Sequence, residues 1–305
     1  MSSKRGTLTR IKTREKIDGW LFVLPFVIST LVFFAGPLVV AFILSFKEYS
    51  FLDQNTIWQA KWVGFDNYLN ALKDPVFKKA LLNTTLYSLG VVPIQLIIAL
   101  ILALIVDSDI KGKTFFRVAY YIPTVTSTVA VSVMFMFIFK TDGLLNKFLK
   151  LFGIPPYNWF GDVRLALPSI MGMAIWSSVG LYMIIFLAGL QDIPHSLYEA
   201  AWIDGANKWQ QFWYVTLPLL RPTFFFNLVV SLIGTFQVFD QAYVVSGGNG
   251  GPLNATMTVV LYLYRTGFRD FKMGYACAIA FILFAIIFAL TLVQKKLFGE
   301  ETQYQ

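Results

Sequence analysis

Few side chains in this chain can do chemistry, and their spacing narrows what that chemistry is. A single histidine, His195, and a single cysteine, Cys277, leave no histidine or cysteine metal cluster and no disulfide framework to build. Asp107 to Thr114 ends in Gly112-Lys113-Thr114, the second half of a phosphate-binding P-loop, but the first glycine is missing and an apolar run precedes it instead of a buried strand. Without that glycine and a strand-to-helix turn, backbone N–H groups are not aimed at phosphate. The segment reads as a basic turn at a membrane surface, and the chain as holding no ATP site of its own. A membrane enzyme would need a cluster of His, Cys or carboxylate groups near the interface, and the sequence offers none.

Asp240 is the acidic residue deepest in an apolar run, within Gly234-Thr235-Phe236-Gln237-Val238-Phe239-Asp240-Gln241. An ionisable group in a bilayer core costs about 2.5–3.5 kcal/mol on insertion scales, so Asp240 faces a watery cavity, clamps two helices, or sits near the outer end of its span. Ser231 and Thr235 recur with Val238 at helical spacing, while Gln237 and Gln241 lie four apart on a neighbouring face. A polar island, Glu199 to Pro218, lies between two membrane-length segments, and in it the carboxylates Glu199 and Asp204 stand among Ala200, Ala201, Gly205 and Ala206. Small residues admit another backbone at close range and glycine ends or bends a helix, so the island reads as a docking element for a soluble partner.

The elements that position these groups are membrane spans. Of the residues, 57% are hydrophobic and 17% aromatic, and the mean hydropathy is +0.64, far from an ordinary soluble domain. A net charge of +8 forms no stripe suited to nucleic acid; the cations cluster beside apolar runs, where membrane lipid headgroups are their counterpart. Residues 1–19 form a basic tail with Lys4, Arg5, Arg10, Lys12, Arg14 and Lys16, which before a first span places the N-terminus in the cytoplasm.

Apolar runs then predict six spans: Trp20 to Phe46, kinked at Pro25 and Gly36-Pro37; Leu81 to Val106; Thr114 to Phe139; Leu167 to Leu190; Arg221 to Val245; and Met273 to Val293. Leu69, Leu72 and Val76 predict an interfacial helix within Asp66 to Ala80, and Asn254 to Tyr264 reads as re-entrant or interfacial. Met134 and Met136 read as packing. The expected fold is all-α and polytopic, with both termini cytoplasmic. Residues 20–80 hold the first helix and an extracellular segment, 81–297 the core, and 298–305 a short tail. Lys and Arg are nearly balanced across the two faces, so orientation rests on the tail and on the charged turn at 107–113.

Glu199, Ala200, Ala201, Gly205, Val215, Leu217 and Pro218 stand at the spacing Glu-Ala-Ala, three residues, Gly, nine residues, a branched apolar residue, one residue, Leu-Pro. This resembles the EAA loop of binding-protein-dependent ABC importers. Ile193 to Tyr198, Asp204-Gly205-Ala206, Trp62 to Tyr68 and Gly250-Gly251-Pro252 are similar to the carbohydrate branch of that family, which includes maltose, lactose and glycerol-3-phosphate permeases.

The resemblance implies a type-I ABC importer transmembrane domain in the cell membrane whose EAA loop, 199–218, is a coupling helix seated in a cleft of an ATPase subunit. Glu199 would supply charge-assisted contacts beside Asp204, Ala200, Ala201 and Gly205 close approach, and Leu217-Pro218 the connection to the fifth span. It also implies a second homologous permease, an ABC ATPase dimer that binds ATP and Mg, an extracytoplasmic solute-binding protein, and no cofactor on this chain. In the maltose importer a sugar site lies on the fourth and fifth spans. The matching positions are Trp176, Ser177, Gly180 and Tyr182 with Ser231, Thr235, Gln237, Asp240 and Gln241. The implied function is import of an oligosaccharide. Glycerol-3-phosphate is the alternative, although it would require a cation at mid-depth. An ion-coupled secondary transporter would require ionisable residues on several helices, and only Asp240 qualifies.

Overall fold

Hydrocarbon offers a backbone no water to bond, so an apolar chain must satisfy its N–H and C=O groups within itself, and helices do so segment by segment. The structure, a computed structural model, describes residues 18–52, 56–108 and 110–298. The basic residues Lys4 to Lys16 and the tail after Phe298 lie outside the described residues.

The first helix, α1 (Asp18–Leu44), is nearly bare, with only 6% of its most apolar stretch buried, as suits a helix facing lipid. Its kink takes the form of a π turn over Leu31–Ala35, in which the Gly36 N–H reaches back to the Leu31 carbonyl, just before Pro37 removes a donor from the ladder. A hairpin of β1 (Lys47–Glu48) and β2 (Lys61–Trp62), with Lys47 opposite Trp62, precedes α2 (Asp66–Lys73). The Asn67 amide donates to the Ser45 and Lys47 carbonyls and ties α2 to the end of α1.

Helix α3 (Pro75–Asp107) runs for 33 residues and starts before the apolar run does, because Asp74 caps it. The Asp74 carboxylate accepts from the Val76 and Phe77 N–H groups and from the hydroxyls of Tyr262 and Tyr275. Burial pushes this carboxyl up, but those hydrogen bonds outweigh it and hold it below the ordinary 3.8. The Tyr262 hydroxyl is pushed up to about 12 by burial and by its bond to Asp74.

The expected span from Thr114 to Phe139 is not one continuous helix. Helices α4 (Lys113–Val125) and α5 (Thr128–Ile138) meet at 96°. Pro123 weakens the last turn of α4, the Thr124 hydroxyl is drawn to the Ser177 carbonyl at 3.0 Å, and Thr126 and Ser127 turn extended between the helices. A loop with α6 (Leu144–Lys150) follows, held by the buried Asn146, which donates to the Lys140, Thr141 and Tyr157 carbonyls and accepts from Trp159 Nε1.

Helix α7 (Ala166–Gln191) is central: α3 and α4 both pack along it. Next come α8 (His195–Ile203) and α9 (Lys208–Gln211), then a π turn, Phe212–Thr216, and a helical turn, Leu217–Leu219. The chain continues through α10 (Arg221–Phe236) and α11 (Asp240–Ser246). Helix α12 (Val259–Tyr264) is shorter than the expected Asn254 to Tyr264, because Thr258 caps it through the Leu261 N–H. Last is α13 (Met273–Phe298). Among the described residues, five segments are long and apolar enough to cross a membrane, and the bent α4–α5 pair makes a sixth if it counts as one span.

One apolar cluster joins Leu96, Ala99 and Ala103 of α3 to Met183, Phe186 and Leu190 of α7, and takes in Ile193 and Leu220 at the two ends of the polar island. A second joins the start of α3 to α12 and α13 through Phe77, Met257, Leu261 and Ile279. Close approach of α4 to α7 depends on Gly180, where a β-carbon would run into the Tyr120 carbonyl oxygen. Gly172, on the same helix, has nothing within 4 Å of such a carbon. Gly180→Ala should therefore destabilise the detergent-purified chain by about 1–3 kcal/mol, seen as a lower thermal midpoint. Gly172→Ala should leave the midpoint unchanged or raise it.

Candidate solute path and coupling loop

The polar island folds into a helix–turn–helix hairpin whose corner is Gly205. Helix α8 ends in a paired-carbonyl cap: the Ala206 N–H donates to the Ala201 carbonyl at 2.9 Å and the Gly205 N–H to the Trp202 carbonyl at 3.0 Å. This cap places the residue before its last in the left-handed region, and Gly205 sits there with φ +81°. Asn207 then starts α9 with a reciprocal cap, accepting from the Gln210 N–H while Gln210 Oε1 accepts from the Asn207 N–H.

The hairpin leaves Glu199, Ala200, Asp204 and Gly205 exposed and Ala201, Leu217 and Pro218 half-buried. Between α8 and α9 is a hollow of about 670 Å³ bordered by Glu199, Trp202, Gly205 and Lys208. Trp202, which borders it, and Ile203, Trp209 and Tyr214 of the same loop are exposed. At its base the Tyr198 and Thr216 hydroxyls pair at 2.9 Å, which fixes α8 to the approach of α10.

A second hollow, a cavity of about 260 Å³, lies inside the bundle among α3, α7 and the junction of α10 with α11. The expected fifth span is broken there: Phe239, at φ −133° and ψ −60°, interrupts the helix. The break frees the Val238 carbonyl, which accepts from the Thr258 hydroxyl at 2.9 Å, as a carbonyl at membrane depth requires. Gln237 and Asp240 are exposed at the cavity, Gln241 is half-buried, and Ser231 and Thr235 are buried in its wall.

Of the α7 positions, Ser177 and Tyr182 line the cavity, whereas Trp176 and Gly180 do not. Those two lie four apart, on another face of the helix: Trp176 meets the Phe135 ring at 5.4 Å, and Gly180 meets α4. The sequence reading also passed over α3, which brings Tyr87 and Gln95 into the wall. Gln95 Nε2 donates to Ser231 Oγ, Gln95 Oε1 accepts from Ser178 Oγ, and the Ser88 and Thr235 hydroxyls pair at 2.8 Å. A signal was present: Thr84, Ser88 and Gln95 share one face of an otherwise apolar helix.

A helical, membrane-embedded subunit with a polar hollow within the bundle and an exposed helical hairpin on a loop has the architecture of a transport permease. The chain belongs to the binding-protein-dependent transport system inner membrane component family, whose model matches residues 95–298. It is thus an ABC transporter permease subunit without an ATPase site, and ATP hydrolysis belongs to partner subunits.

It is 35% identical to the arabinooligosaccharides transport system permease protein AraP of Bacillus subtilis, over 97% of this chain and 97% of that protein. It is also 35% identical to the lactose transport system permease protein LacF of Rhizobium radiobacter, over 93% and 95% of the two chains. Among solved structures, a bacterial ABC transporter involved in the import of the acidic polysaccharide alginate shares the fold, with a TM-score of 0.78 at 22% identity over 96% of this chain and 100% of that one.

The geometry sets an accessibility test. Cysteines placed singly at Ser177, Gln237 or Trp176, in a Cys277→Ala background, are treated with a hydrophilic maleimide. A thiol reacts as thiolate, which needs water around it, so positions 177 and 237 should label about tenfold faster than 176. Equal rates would mean that the cavity is dry.

Proposed function

We propose that this chain is one of two permeases of an ATP-driven importer of neutral di- or oligosaccharides. The observation that carries the reading is the cavity wall. It presents hydroxyl, phenol and amide groups from Ser177, Ser178, Tyr182, Ser231, Thr235 and Gln237, one carboxylate, Asp240, and among the described residues no lysine or arginine. Such a wall hydrogen-bonds sugar hydroxyls in both directions, and tyrosine rings offer flat faces to a pyranose. A solute such as glycerol-3-phosphate would meet Asp240 with no cation to balance it, which places that alternative second. The relatives named for arabinooligosaccharides and lactose support the same solute class. Ion-coupled secondary transport has only Asp240 in its favour.

In this reading a second, homologous permease completes the path, a solute-binding protein delivers the sugar from outside, and an ATPase dimer holding ATP and Mg seats α8 in its cleft. The hairpin and both termini then face the cytoplasm, and α2, α6 and α12 face outward. Closure of the ATPases presses on α8, and Ile193, two residues before α8, and Leu220, just before α10, belong to the apolar cluster shared with α3 and α7. A push on the hairpin therefore reaches packed side chains contiguous with the cavity through Tyr182, which lines it and belongs to that cluster.

Gly205→Asp tests the coupling role. The residue is exposed, and a β-carbon there meets nothing within 4 Å, so the substitution costs only the strain of its positive φ, roughly 1–2 kcal/mol. The variant should insert and fold in normal amount, yet uptake and solute-stimulated ATP hydrolysis should fall to background in proteoliposomes. Normal uptake would remove the coupling role.

A further inference from the structure

We propose that Gln95 is a positioning residue that sets which hydroxyl of the cavity wall donates and which accepts, and that this polarity selects a solute through an uncharged hydroxyl group. The inference rests on the importer reading above. An amide has a donor end and an acceptor end, and each end of Gln95 is engaged: Nε2 donates to Ser231 Oγ and Oε1 accepts from Ser178 Oγ. With 2% of its surface exposed, the side chain is held in place by the helices around it.

The consequence for the two serines is opposite. Ser231 accepts from Gln95, so its own proton is left for an acceptor in the cavity that it lines together with Tyr182. The Ser178 proton is engaged by Gln95 and by the Ala174 carbonyl at 2.8 Å, so what Ser178 offers the cavity is a lone pair. Both residues line the cavity. A donor beside an acceptor matches a hydroxyl, which accepts and donates at once. A phosphate or carboxylate can only accept and would leave Ser178 facing a second acceptor.

Holding α3 against α10 does not depend on Gln95 alone, since Ser88 and Thr235 bridge the same two helices at 2.8 Å. That redundancy lets the wall's polarity be changed while the helices stay together.

The test reconstitutes the complete importer with wild-type chain, Gln95→Leu and Gln95→Glu. It measures radiolabelled lactose, maltose and arabinotriose taken up per ATP hydrolysed. Leucine removes both bonds, while glutamate keeps the size and, held protonated by burial, keeps one donor and one acceptor. The saccharide that wild type imports should fall about tenfold per ATP in Gln95→Leu and stay within about twofold of wild type in Gln95→Glu, with ATP hydrolysis and recovery of the assembled complex within about twofold of wild type for both. An unchanged ratio in Gln95→Leu, or uptake and hydrolysis falling together, would overturn the inference and leave Gln95 a packing residue. A wild-type complex that imports none of the three sugars but does import glycerol-3-phosphate would overturn the saccharide reading and this inference with it.

Discussion

A polar group inside a membrane has few places to go, and the architecture follows from that limit. An amide or hydroxyl left unpaired in hydrocarbon costs about 2–7 kcal/mol, whereas a formed hydrogen bond returns a net of only about 1 kcal/mol. The penalty, more than the bond, decides where such side chains sit. In α3, α7 and α10 the hydroxyls and amides of Ser88, Gln95, Ser178, Ser231 and Thr235 turn toward one another and close into pairs across three helices. The hollow beside that seam is the place where polar groups inside the bundle are left available to something other than protein.

The same constraint accounts for the two irregular places in the bundle. Where α10 stops short of α11, the exposed Val238 carbonyl is met by Thr258. Where α4 turns into α5, the end of α4 is tied to α7 through Thr124 and the Ser177 carbonyl. The first break is met by a hydroxyl from elsewhere in the chain and opens the wall of the cavity, while the second is held by its own Thr124 hydroxyl, which donates to a carbonyl of α7.

This explains what could be read from sequence. Lipid-facing apolar runs are local signals, so α1, α3, α7 and α13 were legible, and so was the turn within 199–218, whose residues are contiguous and whose Gly205 ends a helix by a local cap. The 96° bend and the α10–α11 break were not, because Thr258 and Ser177 rescue them from far along the chain and a hydropathy pattern carries no trace of that pairing. Trp176 and Gly180 were grouped with Ser177 and Tyr182 through the resemblance to the fourth span of the maltose importer, but on this helix they lie on a different face from those two. Gln95 was visible as a polar residue in an apolar run, though its partners on α7 and α10 were not.

The hairpin and the cavity form one device only if a partner supplies the force. Ile193, Leu220 and the cluster above them provide a packed connection, and Trp202, Ile203, Trp209 and Tyr214 of the same loop are exposed. The most direct measurement is to purify the tagged chain from its native membrane in mild detergent and identify what accompanies it. The account predicts a second permease and an ATPase, both retained with the wild-type chain and the ATPase lost with Glu199→Lys. An intact chain recovered alone, still moving solute in vesicles without ATP, would contradict it.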